Sequence, residues 1–116
     1  MKREIKFRGK HLNKWIYGYL LKNIDDNKYY ISVSLGQFYQ VKEETIGQYT
    51  GLKDKNGVEV YEGDKVKAKF YGKEVAGEIG FNSGCFLLWN SCVSDNQLFI
   101  FTDIEVIGNV YENEVD

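Results

Sequence analysis

The sequence predicts a mainly β fold with little helix. Three observations favour this class: short segments in which apolar and polar residues alternate with period two, an aromatic content of 16%, and turn segments made of Gly, Asn and Asp in a chain with twelve glycines and no proline. The chain has 116 residues, a common size for one domain. A chain of this length buries a core without metal or disulfide staples. We therefore predict a single domain over residues 1–116.

The N-terminal half predicts β-hairpins. Alternating or β-branched and aromatic stretches predict strands over residues 5–8, 15–21, 29–33 and 38–41, with turns over 9–13 and 23–27. Residues 41–50 are ambiguous, because Lys42-Glu43-Glu44 could begin a helical turn but the residues that follow are poor helix formers. Asn56-Gly57 predicts a type I′ turn, since both central residues of that turn need a positive φ.

The C-terminal half predicts a run of short strands separated by turns. These strands are expected over residues 58–60, 65–70, 75–81, 85–89, 98–101 and 104–111, with a loop over 90–96. The Gly63-Asp64-x-Val66 opening and the later Gly-x-apolar-x-apolar stretches resemble the pattern of SH3-like barrels. We therefore predict an N-terminal β layer over residues 1–62 joined, within one fold, to an SH3-like small barrel over residues 63–116.

Charge is distributed unevenly along the chain. Residues 1–73 hold all fifteen Lys and Arg and nine acidic residues, a net charge of +6, whereas residues 74–116 hold eight acidic residues and no basic ones. The basic N-terminal strand could lie against the acidic C-terminal strand within one molecule, or the two surfaces could pair between molecules. Because complementary charge orients association, the split predicts a homo-oligomer with basic and acidic regions at or near its interface.

Targeting signals are not evident. The charged N-terminus has no apolar stretch behind it, and no apolar run approaches the roughly 18 residues of a membrane span, so we expect a cytoplasmic protein without membrane contact. In that compartment Cys85 and Cys92 are expected to be thiols, and their spacing fits neither a redox motif nor a zinc knuckle.

Several short patterns resemble chemical motifs, but each favours a structural role. Asp54-x-Asn56-Gly57 begins like a calcium loop, yet its twelfth position is a lysine rather than a bidentate Glu. Glu62 and Asp64 flank one glycine, where a carboxylate that caps turn amides is the favoured interpretation over acid–base chemistry. The single histidine, His11, has no paired ligand at metal spacing. We therefore expect no catalytic, cofactor-binding or metal-binding residue, no cofactor and no small-molecule substrate.

Two alternating rows have two interpretations each. Trp15, Tyr17 and Tyr19 could stack nucleic-acid bases beside the basic N-terminal strand, but a row of rings facing the core is favoured. The lysines at positions 65, 67 and 69 could meet phosphates, but exposed lysines on a strand commonly serve solubility.

Four stretches, in order along the chain, resemble the YopX family of small proteins encoded by bacteriophages and prophages. They are Lys6-Phe7-Arg8-Gly9-Lys10 with Trp15-Ile16-Tyr17-Gly18; Thr45 to Gly57; Val60-Tyr61-Glu62-Gly63-Asp64-Lys65-Val66; and Val106 to Asn113. The chain departs at its end, where the family often has Glu-Asn-Pro and this sequence has Glu112-Asn113-Glu114. The resemblance implies a phage origin, a β-rich fold with an SH3-like part and the cytoplasm of a bacterial host. It implies no activity.

We expect a phage-encoded, non-enzymatic accessory protein that acts through self-assembly or through contacts with a phage or host protein. The alternative is a nucleic-acid-binding small barrel that uses Lys2, Arg3, Lys6, Arg8, Lys10, Lys14 and Trp15. The residues expected at corners of the fold are Gly51, Asp54, Gly57, Glu62, Gly63, Asp64, Gly108 and Asn109.

Overall fold

The computed structural model describes residues 4–82, 84–89 and 96–112. Within these ranges the regular structure consists of β-strands and two short 3₁₀ helices, with no α-helix, so the mainly β prediction is confirmed. The strands are β1 (Phe7–His11), β2 (Lys14–Asn23), β3 (Lys28–Ser34), β4 (Gln37–Val41), β5 (Gly47–Lys53), β6 (Glu59–Tyr61), β7 (Asp64–Phe70), β8 (Lys73–Asn82), β9 (Cys85–Trp89), β10 (Asn96–Gln97) and β11 (Thr102–Asn109).

The first compact unit comprises the described residues up to Tyr49. Its strands form an antiparallel meander in the order β4-β3-β2-β1-β5. The amide of Lys42 donates to the carbonyl of Lys10 (2.9 Å), which draws the end of β4 against β1. The inner face carries Ile31 and Val41, both buried, and Gly9 leaves room for Val41, because a Cβ there would lie 2.9 Å from that side chain.

The second compact unit begins at Thr50. Its antiparallel sheet has the order β10-β9-β8-β7-β11, and β6 lies beside the part of β5 that continues into this unit. Along β7, Val66 and Ala68 are buried and the intervening lysines are exposed, as the alternation predicts. The core is aliphatic and aromatic: Val60, Val66, Ala68, Ile79, Leu88, Leu98, Phe101 and Ile104.

The structure corrects several local predictions. Strand β1 continues to His11, where the sequence predicted a turn from Gly9. Residues 98–100 form a 3₁₀ helix rather than part of a strand, because a short apolar run does not by itself distinguish the two. Residues 43–45 form a single 3₁₀ turn. The predicted loop at residues 90–96 lies mostly outside the described residues.

The type I′ prediction for Asn56-Gly57 is wrong. Gly57 has a φ of +83°, but Asn56 is not among the residues with positive φ. The reason is the side chain of Asp54, which binds the amides of this turn and selects another geometry. Positive φ at both central residues occurs instead at Tyr71 and Gly72, in the β7–β8 hairpin.

The SH3-like barrel stays a prediction. In the described strand pairings, β10 and β11 are the two edges of the second sheet and the sheet is not closed. The two compact units meet in sequence at Tyr49 and Thr50, within β5, whereas the sequence predicted a subdivision after residue 62. Among the described helices, none is long and apolar enough to cross a membrane.

Candidate interaction face

Strand β2 exposes a row of rings. Its alternation puts Ile16, Gly18 and Leu20 on one face and Trp15, Tyr17, Tyr19 and Leu21 on the other. Tyr17 is 46% exposed and Tyr19 68% exposed. The interpretation of these tyrosines as core-facing is therefore wrong.

Close strand packing explains why the rings face outward. A Cβ at Gly18 would lie 2.1 Å from the carbonyl oxygen of Ser32, so the inner face at this point has no room for a side chain. The next inner position, Leu20, lies opposite the fully buried Ile31. The inner face is thus filled by small and aliphatic residues, which leaves the bulky rings to the outer face.

The exposed rings continue across β3 and β4. Register aligns Tyr19 with Ser32 and Ser32 with Phe38, and it aligns Leu21 with Tyr30. The Tyr30 and Phe38 rings lie edge to face with centroids 6.0 Å apart. Phe38 is 54% exposed. We call this surface the aromatic face, and it consists of Tyr17, Tyr19, Leu21, Tyr30 and Phe38.

Polar groups on the aromatic face are largely engaged within the sheet. The Tyr30 hydroxyl donates to the carboxylate of Asp26 (2.6 Å), which holds the pKa of Asp26 below and that of Tyr30 above their ordinary values. The Ser32 hydroxyl donates to the carbonyl of Ser34, and the Ser34 hydroxyl donates to the side chain of Gln37. A partner that covered this face would leave these hydroxyls hydrogen-bonded, so burying them would carry a small desolvation cost.

The basic N-terminal strand is not laid out as a phosphate-binding surface. Arg8 and Lys10 are only 5% and 7% exposed. Their cationic groups lie over the ring of Trp15, at 4.4 and 5.5 Å from its centroid. Lys6 lies over the ring of Tyr49 and pairs with Glu4 (3.4 Å). Lys14 is exposed, and positions 2 and 3 lie outside the described residues.

Asp54 organises the loop after β5. Its Oδ1 accepts from the amides of Asn56 (2.8 Å) and Val58 (2.9 Å), and its Oδ2 accepts from the amide of Val106 (2.9 Å). Burial acts to raise the pKa of Asp54, but these three amides together hold that pKa below its ordinary value. The adjacent Lys55 amide donates to the carbonyl of Ile104 (2.9 Å). The loop therefore covers the outer edge of β11.

The Gly63-Asp64 corner is also held by backbone groups. Gly63 has a φ of +95°, its amide donates to the carbonyl of Ile79 (2.8 Å), and its carbonyl accepts from the amide of Val110 (3.0 Å). The buried carboxylate of Asp64 accepts from the amide of Tyr61 (2.8 Å).

The other residues expected at corners lie nearby or in β5. Asn109 pairs with Asp64 across β11 and β7, and its side-chain oxygen accepts from the amide of Tyr111 (2.9 Å). Gly108 adjoins that pair, and the Glu112 carboxylate lies against it. Glu62 is half-buried, and Gly51 has a φ of +89°. The structure thus gathers the glycines and acids of the corner set around the ends of β7 and β11, apart from Gly51.

Reactive side chains are engaged in ordinary contacts. His11 Nδ1 lies 2.7 Å from the carbonyl of Gln40, and its ring packs on Tyr39. Cys85 is a half-buried thiol, and Cys92 lies outside the described residues. Across the described part of the chain, no group of three or more His, Cys, Asp or Glu side chains is arranged to hold a metal ion.

A shallow groove on the second sheet is the other concave surface of note. It has a volume of about 410 Å³ and is lined by Lys65, Glu78, Trp89 and Ile107, among others. Lys65 and Glu78 lie opposite each other in the register, so the two charges that flank the groove are of opposite sign. This groove offers an apolar floor but no convergent set of polar groups.

Sequence reasoning identified part of the aromatic face and missed the rest. The row on β2 is visible as a period-two pattern, whereas Tyr30 and Phe38 join it only through the registers of β2 with β3 and of β3 with β4. The signal that could have found them is the Leu35-Gly36 turn, because Gly36, with a φ of +80°, sets the β3–β4 hairpin and hence its register.

Fold and surface together define a small all-β protein built of antiparallel sheets, with an exposed aromatic sheet face and its polar corners closed by backbone hydrogen bonds. The family model described as YopX protein matches residues 6–115, so the chain belongs to this family, as its sequence motifs predicted. The comparison with curated proteins finds no match.

Proposed function

We propose that this protein is a phage-encoded, non-enzymatic accessory protein that acts in the bacterial host's cytoplasm through protein–protein contacts made by the aromatic face. One observation carries the proposal: Tyr17, Tyr19 and Phe38 are about half or more exposed on one side of a single three-stranded surface. The phage setting and the SH3-like part rest on the family resemblance of the sequence.

The composition and support of the aromatic face suit protein recognition. Contiguous exposed apolar patches commonly mark interaction sites, and tyrosine and phenylalanine are enriched at the centres of interfaces. The rings project from paired strands rather than loops, so little side-chain and backbone freedom is lost when a partner binds. Tyr30, Ser32 and Ser34 keep their hydroxyl bonds inside the sheet.

The non-enzymatic part of the proposal draws on the titratable groups. Catalytic acids and bases usually have pKa values shifted toward neutral pH in a cleft. Here the carboxylates with shifted pKa values, Asp26 and Asp54, are shifted downward and serve turns through hydrogen bonds to a hydroxyl or to amides. Groups held in this way stabilise loops and are poor proton donors near neutral pH.

Nucleic-acid binding is the second candidate, and the exposure of Tyr17 and Tyr19 favours it, because exposed rings can stack bases. Against it, such sites also need cations that reach phosphates, and Arg8 and Lys10 are buried against Trp15. The acidic residues 74–116 would further repel a polyanion.

The test compares the wild type, a Tyr19→Ser/Phe38→Ser double variant and a Tyr71→Ser control. Tyr71 is 89% exposed on the β7–β8 hairpin, so its change matches the loss of an exposed ring without touching the aromatic face. Chemical cross-linking in phage-bearing cells should give the same defined protein adducts with wild type and control, and these adducts should be lost in the double variant.

Retention of every adduct by the double variant would contradict the proposal. Binding of the purified protein to single-stranded DNA that falls steeply with salt and is lost with Tyr19 would support the second candidate instead.

A further inference from the structure

We infer that the partner seated on the aromatic face is a second copy of this chain, packed antiparallel about a two-fold axis that runs along the row Tyr19, Ser32 and Phe38. This inference rests on the proposed function, since it names the partner of the same surface. The three residues lie in register on β2, β3 and β4, so one straight axis across the strands can pass over all of them.

The aromatic face is self-complementary about that axis. A two-fold axis that lies in the interface and crosses the strands reverses strand direction, so β2 of one copy packs antiparallel on β2 of the other. Tyr17 and Leu21 lie two residues to either side of Tyr19 on the same face. Each Tyr17 would therefore meet the other copy's Leu21, while Tyr19 meets Tyr19 and Phe38 meets Phe38. Twisted sheets pack in this way with their strands within about 30° of each other.

Charge at the two ends of β2 selects the same arrangement. The strand begins at Lys14, five residues before Tyr19, and is followed by Asp25, six residues after it; both residues are exposed. Antiparallel packing brings the Lys14 end of each copy over the Asp25 end of the other. Parallel packing would bring like charges together at both ends. Exposed pairs contribute only ~0–1 kcal/mol each, so they orient the two copies while the rings supply the contact.

Charge swaps test the arrangement directly. By sedimentation velocity across protein concentration, the wild type should dimerise, and Lys14→Glu and Asp25→Lys should each weaken dimerisation. The Lys14→Glu/Asp25→Lys double variant should regain wild-type affinity, because each new acid then faces a new base. A double variant as weak as the singles would overturn the antiparallel arrangement.

Substitution on the axis tests the face itself. Tyr19→Asp brings two carboxylates together at the centre of the interface, so dimerisation should weaken by at least about tenfold, or ~1.4 kcal/mol. Tyr71→Asp adds the same charge at an exposed ring on the β7–β8 hairpin and should dimerise like wild type. Phe38→Ser, which removes a second ring from the axis without adding charge, should weaken dimerisation even if Tyr19→Asp fails to fold.

The inference and the proposed function fail separately. A wild type that stays monomeric, or a dimer that Tyr19→Asp and Phe38→Ser leave intact, overturns the second copy as partner. If the cross-linked adducts that depend on the face then contain a different polypeptide, the proposed function stands. Adducts that contain only this chain, together with a dimer sensitive to both face variants, support the inference.

Discussion

At the scale of single residues, Asp54 shows how one carboxylate joins distant parts of the chain. It binds two amides within its own turn and the amide of Val106, 52 residues away. All three bonds are to an acceptor-only carboxylate, so the ionised form fits and a donor group does not. An Asp at a Gly-rich turn predicts local capping, but no local pattern predicts the bond to β11.

We predict that Asp54→Asn destabilises the protein by about 1–3 kcal/mol at neutral pH, because its NH₂ group cannot accept from an amide. The low pKa of Asp54 in the folded state means that its contribution is present above the unfolded pKa of about 3.8 and is lost as pH falls through the folded value. Urea unfolding at pH 7 and below pH 4 should therefore show a smaller acid loss in Asp54→Asn than in wild type. Equal losses would contradict this role.

The Gly63-Asp64 corner gives a second residue-scale prediction. Gly63 has a positive φ and Asp64 is buried with its carboxylate on the amide of Tyr61. Gly63→Val and Asp64→Ala should each lower the free energy of unfolding by ~1–3 kcal/mol. Glu62→Ala is the control, since Glu62 is only half-buried, and it should unfold close to wild type. Melting of all three variants at the wild-type temperature would contradict the structural role of the corner.

At the scale of elements, the period-two pattern predicts strands well where a side chain alternates in burial, as along β7. It fails where packing decides. Gly9 suggests a turn, yet the chain stays extended there because Val41 fills the space beside it. The apolar run from Leu98 has no alternation, so its 3₁₀ geometry could not be predicted. The aromatic face was predicted on β2 alone, since the sequence does not specify register between strands.

Gly18 provides the element-scale prediction. Gly18→Ala would place a Cβ 2.1 Å from the carbonyl oxygen of Ser32, so β2 and β3 must move apart. We expect a loss of about 1–3 kcal/mol in the free energy of unfolding and faster amide exchange in both strands. Ser32→Ala is the matched control, because it alters a hydroxyl on the outer face without touching this contact. Slow exchange that persists in Gly18→Ala would show that the strands tolerate the side chain.

At the scale of the whole molecule, the separation of charge along the sequence is partly resolved within the second unit. Lys69 pairs with Asp103 and Lys55 pairs with Glu105, each at 3.6 Å. The acidic C-terminal strand β11 pairs with the lysine-rich β7, and in the described pairings the basic strand β1 lies beside β2 and β5 instead. The sequence left open whether opposite charges meet within or between molecules, and the ion pairs named here lie within one.

The last prediction concerns how self-association responds to salt. If the aromatic face supplies most of the contact and exposed charge only orients it, raising salt from ~0.05 to ~0.5 M should weaken dimerisation only a few-fold, because screening acts on the exposed Lys14 and Asp25 ends and not on buried rings. Lys14→Glu should dimerise better at high salt than at low salt, since screening relieves its repulsion from Asp25. Tyr19→Asp should remain weak at both, because two carboxylates on the axis also lose hydration when the rings close around them. Light scattering across protein concentration and salt measures all three. A wild type that is monomeric at ~100 μM in low salt, a concentration well above the dissociation constant of an ordinary specific interface, contradicts self-association. A wild-type dimer that high salt abolishes would show that charge, rather than the aromatic face, holds the copies together.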